Sequence, residues 1–414
     1  MILPVMLWAV IAAQAQTDIP IGTWRMHFSF QQVISVAIAD DRVFAATEMA
    51  ILVVDRDDGS LSTYTKLSGL SGGGISYIAF DDTSDQLVVT YKDGNIDIIH
   101  DNIVRNFSRL RDLDIGVTNK AINHIHFHNG IAYLSTVFGV VLYDLSSNEI
   151  RETWRDLGHN GSPLAINQSM IVQDSILLAT DQGILAGNLN DNLLDYTKWR
   201  RYDTGVVAGA IESIAMFEGM LYAAIDNSGV YVREGSGFLQ TSFPAQDFHA
   251  IESAVGGLII VTTDGIWVMP AAGEFTPVTD PLISEARVAK QDASGAFWIG
   301  DSRNGLLSNA NGGFESYRPN GPAFAKAFRI TYSGNRVYAI AGGYTEARAP
   351  QGNTGSLSYF ENGLWTTVET GVDDLTDIAH NAGHLFVASF GDGLLKDPDG
   401  AGVVYNEANS PLGD

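Results

Sequence analysis

An all-β propeller is the fold class that this sequence predicts, and three observations carry it. A strand-turn-strand unit recurs along the 414 residues, its strands are β-branched and aromatic, and no segment keeps a capped helical period. The unit is an apolar strand, a short turn, a second apolar strand ending in a small residue or Thr, and then a bend, often with Gly, into further strands. Taken in order, the second strands are expected at Val43–Thr47, Leu87–Thr90, Ile131–Ser135, Ile176–Thr180, Met220–Ala224, Leu258–Thr263, Ala296–Gly300, Val337–Ala341 and Leu385–Ser389. Their ends fall roughly 37 to 48 residues apart, the spacing of four-stranded propeller blades.

Each element has its own local reason. Arg42-Val43-Phe44-Ala45-Ala46-Thr47 and Arg336-Val337-Tyr338-Ala339-Ile340-Ala341 are bounded by Asp-Asp and Gly-Asn turns. Near-continuous apolar runs such as Ser175 to Ala179 suit strands covered on both faces, as when blade packs on blade. In the seventh repeat, Asp292, Gly295, Trp298, Gly300 and Gly305-Leu306 resemble the unit of two-component-regulator propellers. In that reading Gly295 turns between strands and Trp298 packs between blades. No tryptophan precedes an Asp as in WD40 repeats, and the paired Gly of kelch repeats occurs convincingly only at Gly342-Gly343.

Nine repeats exceed the usual four to eight blades of one ring. The expected organisation is a signal peptide over residues 1–15, a first propeller of about seven blades over 16–320, and the first blades of a second, incomplete propeller over 321–414. Met1 to Ala12 is apolar and Ala13-Gln14-Ala15 is a small-x-small cleavage pattern. No Lys or Arg precedes that run, so the start codon is expected upstream, and the run is too short to span a bilayer. Residues 22–30, around Trp24 and Phe28, read as an outer strand that can close the ring, because an unpaired edge is a liability.

The composition narrows the function. Twenty-four Lys and Arg stand against 48 Asp and Glu, giving a formal charge of −24, so generic nucleic-acid binding is excluded. There is no Cys, which removes disulfides, thiolate zinc sites and Cys nucleophiles. No stretch has transmembrane length, and no cofactor motif is present.

Several stretches together resemble the PorZ family of the Bacteroidetes type IX secretion system: Ile19 to Ser29, Leu67 to Ser71 leading into Ile75 to Ala79, Tyr91 to Ile99, and Tyr133 to Leu145. The resemblance covers essentially the whole chain in order. It implies an exported, non-enzymatic protein of the periplasm or outer-membrane cell surface, with two seven-bladed propellers and a C-terminal β-sandwich sorting domain. It further implies a place in an attachment complex with a sortase, to which anionic lipopolysaccharide is delivered. The family offers no residue-level catalytic motif, so none is transferred. Two other classes compete: a periplasmic sensor propeller of a hybrid two-component system, and a carbohydrate-active enzyme with its site in the central channel.

If the ligand is an anionic glycolipid, a protein of this charge must concentrate its cations locally. Two clusters stand out: Lys198, Trp199, Arg200, Arg201 and Tyr202, and Arg105 with Arg109 and Arg111. Guanidinium suits phosphate and aromatic rings suit sugar faces, although a solvated outer strand and loop is the commoner origin of such clusters. His124, His126 and His128 share one face of a strand by their period of two, a weak candidate for metal binding against the commoner solvated strand. Gly69-Leu70-Ser71-Gly72-Gly73 matches a nucleophile elbow on paper, but a strand follows it where a helix is required, so a blade-linking loop is expected. Asp55-Arg56-Asp57-Asp58-Gly59 has its Gly one place early for a calcium loop and reads as a hairpin turn.

Overall fold

The computed structural model describes residues 25–271 and 274–412, so the expected signal peptide and the start of the 22–30 strand lie outside the described residues. The described chain forms nine four-stranded antiparallel sheets, each built from four consecutive strands. All nine expected second strands are present, from Arg42–Ala46 in the first sheet to His384–Ser389 in the ninth.

The repeat signature has a local cause. Thr136 and Thr180 end their second strands, and each hydroxyl donates to the carbonyl three residues on, Gly139 at 2.9 Å and Gly183 at 2.7 Å. The same oxygens accept from the backbone N–H of Phe138 and Gln182. Such side-chain turns complete the hairpin into the third strand. Asp301 does the same work in the seventh sheet, accepting from the N–H groups of Arg303 and Asn304.

The described chain divides into two compact units, one running from Phe28 to Pro319 and the other holding Arg25 to His27 together with Asn320 to Leu412. In the first unit, alternation along each second strand sends side chains to two different neighbours. Tyr133 packs with Ile176 and Leu178 of the fourth sheet, whereas Ala132 and Leu134 pack with Val88 and Ile98 of the second. Seven apolar clusters of this kind join the seven sheets pairwise, and the seventh joins Trp298 and Leu306 back to Val36, Val43 and Leu52 of the first. The ring is thereby closed.

The seam differs from the expectation for residues 22–30. Arg25 to Phe30 forms no strand. Closure comes instead from the segment just after it: Val33 N–H donates to the Asp301 carbonyl at 3.2 Å, and Gly305 N–H to the Gln31 carbonyl at 2.9 Å. Phe30 and Val33 fill the apolar seam. Gly305 sits at φ +77°, and a Cβ there would meet the Phe30 carbonyl oxygen at 2.6 Å, so the close approach requires Gly. Arg56 of the first sheet pairs with Asp292 of the seventh at 2.6 Å, and Trp298 Nε1 donates to the same carboxylate at 3.1 Å. The spacing from Asp292 to Trp298 thus serves both its own hairpin and the seam.

The second unit holds the eighth and ninth sheets, which share one apolar cluster around Tyr338, Ile340, Leu375 and Val387. Within it Trp365 Nε1 donates to His27 Nδ1 at 2.9 Å.

Candidate functional site

The residues read as one basic cluster, 198–202, do not act together. Lys198 ends a short 3-10 turn capped by Asp195, and its side chain is exposed. Trp199 is buried, donates from Nε1 to the Leu193 carbonyl at 3.0 Å and packs edge-on against Trp154. Arg200 to Tyr202 is the outer strand of the fourth sheet, and the pleat turns Arg201 away from its neighbours. Arg201 donates to the carbonyls of Leu157 and Gly158. Arg200 and Tyr202 face the other way, and Arg233 of the fifth sheet joins them. Both guanidiniums lie 4.8 Å from the Tyr202 ring centre. Arg233, more than 30 positions away in sequence, gave no signal to sequence reading.

The second cluster also separates. Arg105 is exposed on the outer strand Ile103–Phe107. Arg109 and Arg111 lie two apart on one helical turn and so point to different sides. Arg109 pairs with Glu149 at 3.4 Å and Arg111 with Asp112 at 2.9 Å. Of the sequence candidates, Arg200 and Tyr202 are the ones the fold brings together with a further cation, Arg233.

Ser71 is held by a carboxylate and not by an imidazole. Its hydroxyl donates to Asp97, which is buried and also accepts from Tyr91 and Asn106. Those bonds make Asp97 the anchor of the loop between the first two sheets. Asp55 likewise accepts from the N–H of Asp57 within a hairpin turn.

His124, His126 and His128 lie on Ile122–His128, the innermost strand of the third sheet. They do not converge on a common point. His128 bonds Asn129, and His126 Nε2 accepts from Ile171 N–H of the next sheet at 3.2 Å. Among the described residues, the one group of three side chains with ligand atoms at metal-binding separations is the exposed set Asp85, His100 and Asp101. His124 and His126 instead border a central cavity, together with Tyr77, Glu252 and Lys290 from three other inner strands. Burial pushes the imidazoles down, His124 to about 3 and His126 to about 4, with the Lys290 charge adding to the shift at His124. Glu252 holds the Lys290 ammonium up.

Residues 43–200 match the family model described as the PorZ N-terminal β-propeller domain of the type IX secretion system. The chain also superimposes on the PorZ structure from Porphyromonas gingivalis with a TM-score of 0.79, at 20% identity over 95% of this chain. The likeness is to the PorZ family. The chain spans 54% of that PorZ chain, which is described as an essential surface component of its type IX secretion system. A weaker match, TM-score 0.55 at 14% identity, covers 92% of this chain and 52% of the extracellular domain assigned to the hybrid two-component system BT3049 from B. thetaiotaomicron. The WD40 propeller of Doa1 matches at a TM-score of 0.51 and 12% identity, over 69% of this chain and 93% of that one. No curated protein matches the chain in sequence. The PorZ likeness fits the ring's architecture, a propeller whose blade faces pack on one another.

Proposed function

We propose that this chain is an exported, non-enzymatic component of a type IX secretion system that binds anionic lipopolysaccharide for delivery to a sortase complex at the cell surface. The observation that carries this reading is the PorZ likeness, which joins a family-model match over residues 43–200 to a shared fold over 95% of the chain. No helix among the described residues is long and apolar enough to cross a membrane. The ligand surface proposed is the Arg200–Tyr202–Arg233 patch, where two guanidiniums are gathered over one ring and can meet phosphate.

Titration of anionic lipopolysaccharide against the full chain at low salt tests it. Replacing Arg200 and Arg233 together by Ala is expected to weaken binding about tenfold or more, with a reduced salt dependence. Unchanged affinity would remove this surface, and absence of binding by the parent chain would remove the ligand. The sensor reading rests on the likeness to the two-component extracellular domain. Sequencing the gene past Asp414 separates the two: further repeats and a β-sandwich sorting domain support secretion, and a membrane helix followed by a kinase supports sensing.

A further inference from the structure

Inner strands of the seven-sheet ring line a solvent-open cavity of about 450 Å³, within the range of about 300–1,000 Å³ that small-molecule sites occupy. Four sheets supply its polar groups: Tyr77 from the second, His124 from the third, Glu252 from the sixth and Lys290 from the seventh. Lys290 Nζ stands 3.5 Å from Glu252 Oε1, and the rings of Tyr77 and His124 are 5.5 Å apart and tilted at 53°. His124 Nδ1 is shut off from solvent and has no hydrogen-bond partner, although buried polar atoms are normally satisfied.

The charges select what can enter. Asp81 and Asp82 also border the cavity, and Asp82 is held above the usual carboxylate range by burial and by Asp40, Asp81 and Asp85. That acidic wall repels an anion, and the Lys290 ammonium, paired with Glu252, does not offset it. A neutral ligand escapes that penalty. Ammonium donors, carboxylate acceptors, a phenol and a neutral imidazole together match groups that donate and accept at once, which is the property of a hydroxyl. The Tyr77 and His124 rings add an apolar surface for a C–H face.

From this placement we infer that the channel is a binding site for a neutral sugar, contacted by Tyr77, His124, Glu252 and Lys290. The site is separate from the Arg200–Tyr202–Arg233 surface and does not depend on it.

Saturation-transfer NMR and calorimetry on the full chain test the inference, with D-glucose, D-mannose, D-galactose and N-acetyl-D-glucosamine as probes and D-glucuronate as the anionic counterpart. At least one neutral sugar is expected to bind with a Kd of about 10 mM or tighter, and D-glucuronate about tenfold more weakly. Tyr77→Phe, which removes a single oxygen, should weaken binding about fivefold to tenfold with the melting temperature kept. Lys290→Met should weaken it further, and lipopolysaccharide binding should persist in both variants. The inference is overturned if no neutral sugar binds, if D-glucuronate binds as well as the neutral probes, or if Tyr77→Phe and Glu252→Gln both leave affinity unchanged. Turnover of a nitrophenyl glycoside by the parent chain would also overturn it, in favour of a hydrolase.

Discussion

Ile131–Thr136 and Arg336–Ala341 are the same strand of two different sheets, and they are buried very differently. Every residue of the first is buried, because its odd and even side chains enter apolar clusters on opposite sides. In the second, Tyr338 and Ile340 enter the cluster shared with the ninth sheet, while Val337 enters none. The inner strand beside it leaves Ile330 62% and Tyr332 69% exposed. A four-stranded sheet has two faces to cover, and only a flanked sheet covers both. The repeat is therefore a local unit whose stability is decided by its neighbours.

The largest expected effect lies at the seam that gives the first sheet its second neighbour. Trp298→Ala removes a buried indole from the seventh-to-first cluster and unpairs the Asp292 carboxylate from Nε1, at an expected cost of about 3–5 kcal/mol in urea unfolding of the full chain. A cost near zero would mean that the ring does not need its seam. Next, Leu134→Ala should cost about 2–5 kcal/mol against less than about 1 for Val337→Ala, measured the same way. Equal costs would erase the contrast between flanked and half-covered sheets.

The third prediction is a pH dependence. His124 and His126 are held neutral in the fold, with values of about 3 and about 4, while an unfolded chain protonates its imidazoles near pH 6.5. The unfolded state then binds more protons, so stability is whole above about pH 6.5 and drains as pH falls toward about 4. Protonation would also convert the acceptor that His126 offers to Ile171 N–H into a donor. The melting temperature of the ring should fall across this window, and His126→Asn should flatten the fall. A profile that stays level down to about pH 4 would show that these imidazoles reach water. The smallest effect is expected at the open face, where Ile330→Ser should shift stability by no more than about 0.5 kcal/mol.

Much of the fold was legible because its signals are local. The Thr and Asp residues that end second strands bond within three residues, and the spacing from Asp292 to Trp298 encodes one hairpin. The candidate sites were less legible. Arg200 and Arg201 are adjacent in sequence, but the pleat places them on opposite faces, so one is surface and the other ties down a loop. The three histidines do share a strand face, yet separate partners in three directions keep them from converging.

The sequence by itself determined the sheets, their strand order and their hairpins, since strand periodicity and turn chemistry act over a few residues. It also fixed the acidic charge and the absence of thiol chemistry. Only the tertiary structure decided which residues meet in the channel, because Tyr77, His124, Glu252 and Lys290 become neighbours when the seventh sheet packs on the first. It likewise decided that Arg233 lies over Tyr202, since that contact spans two sheets. A ring brings together residues at one depth of its inner strands, and no spacing along the chain records that depth until the ring has closed.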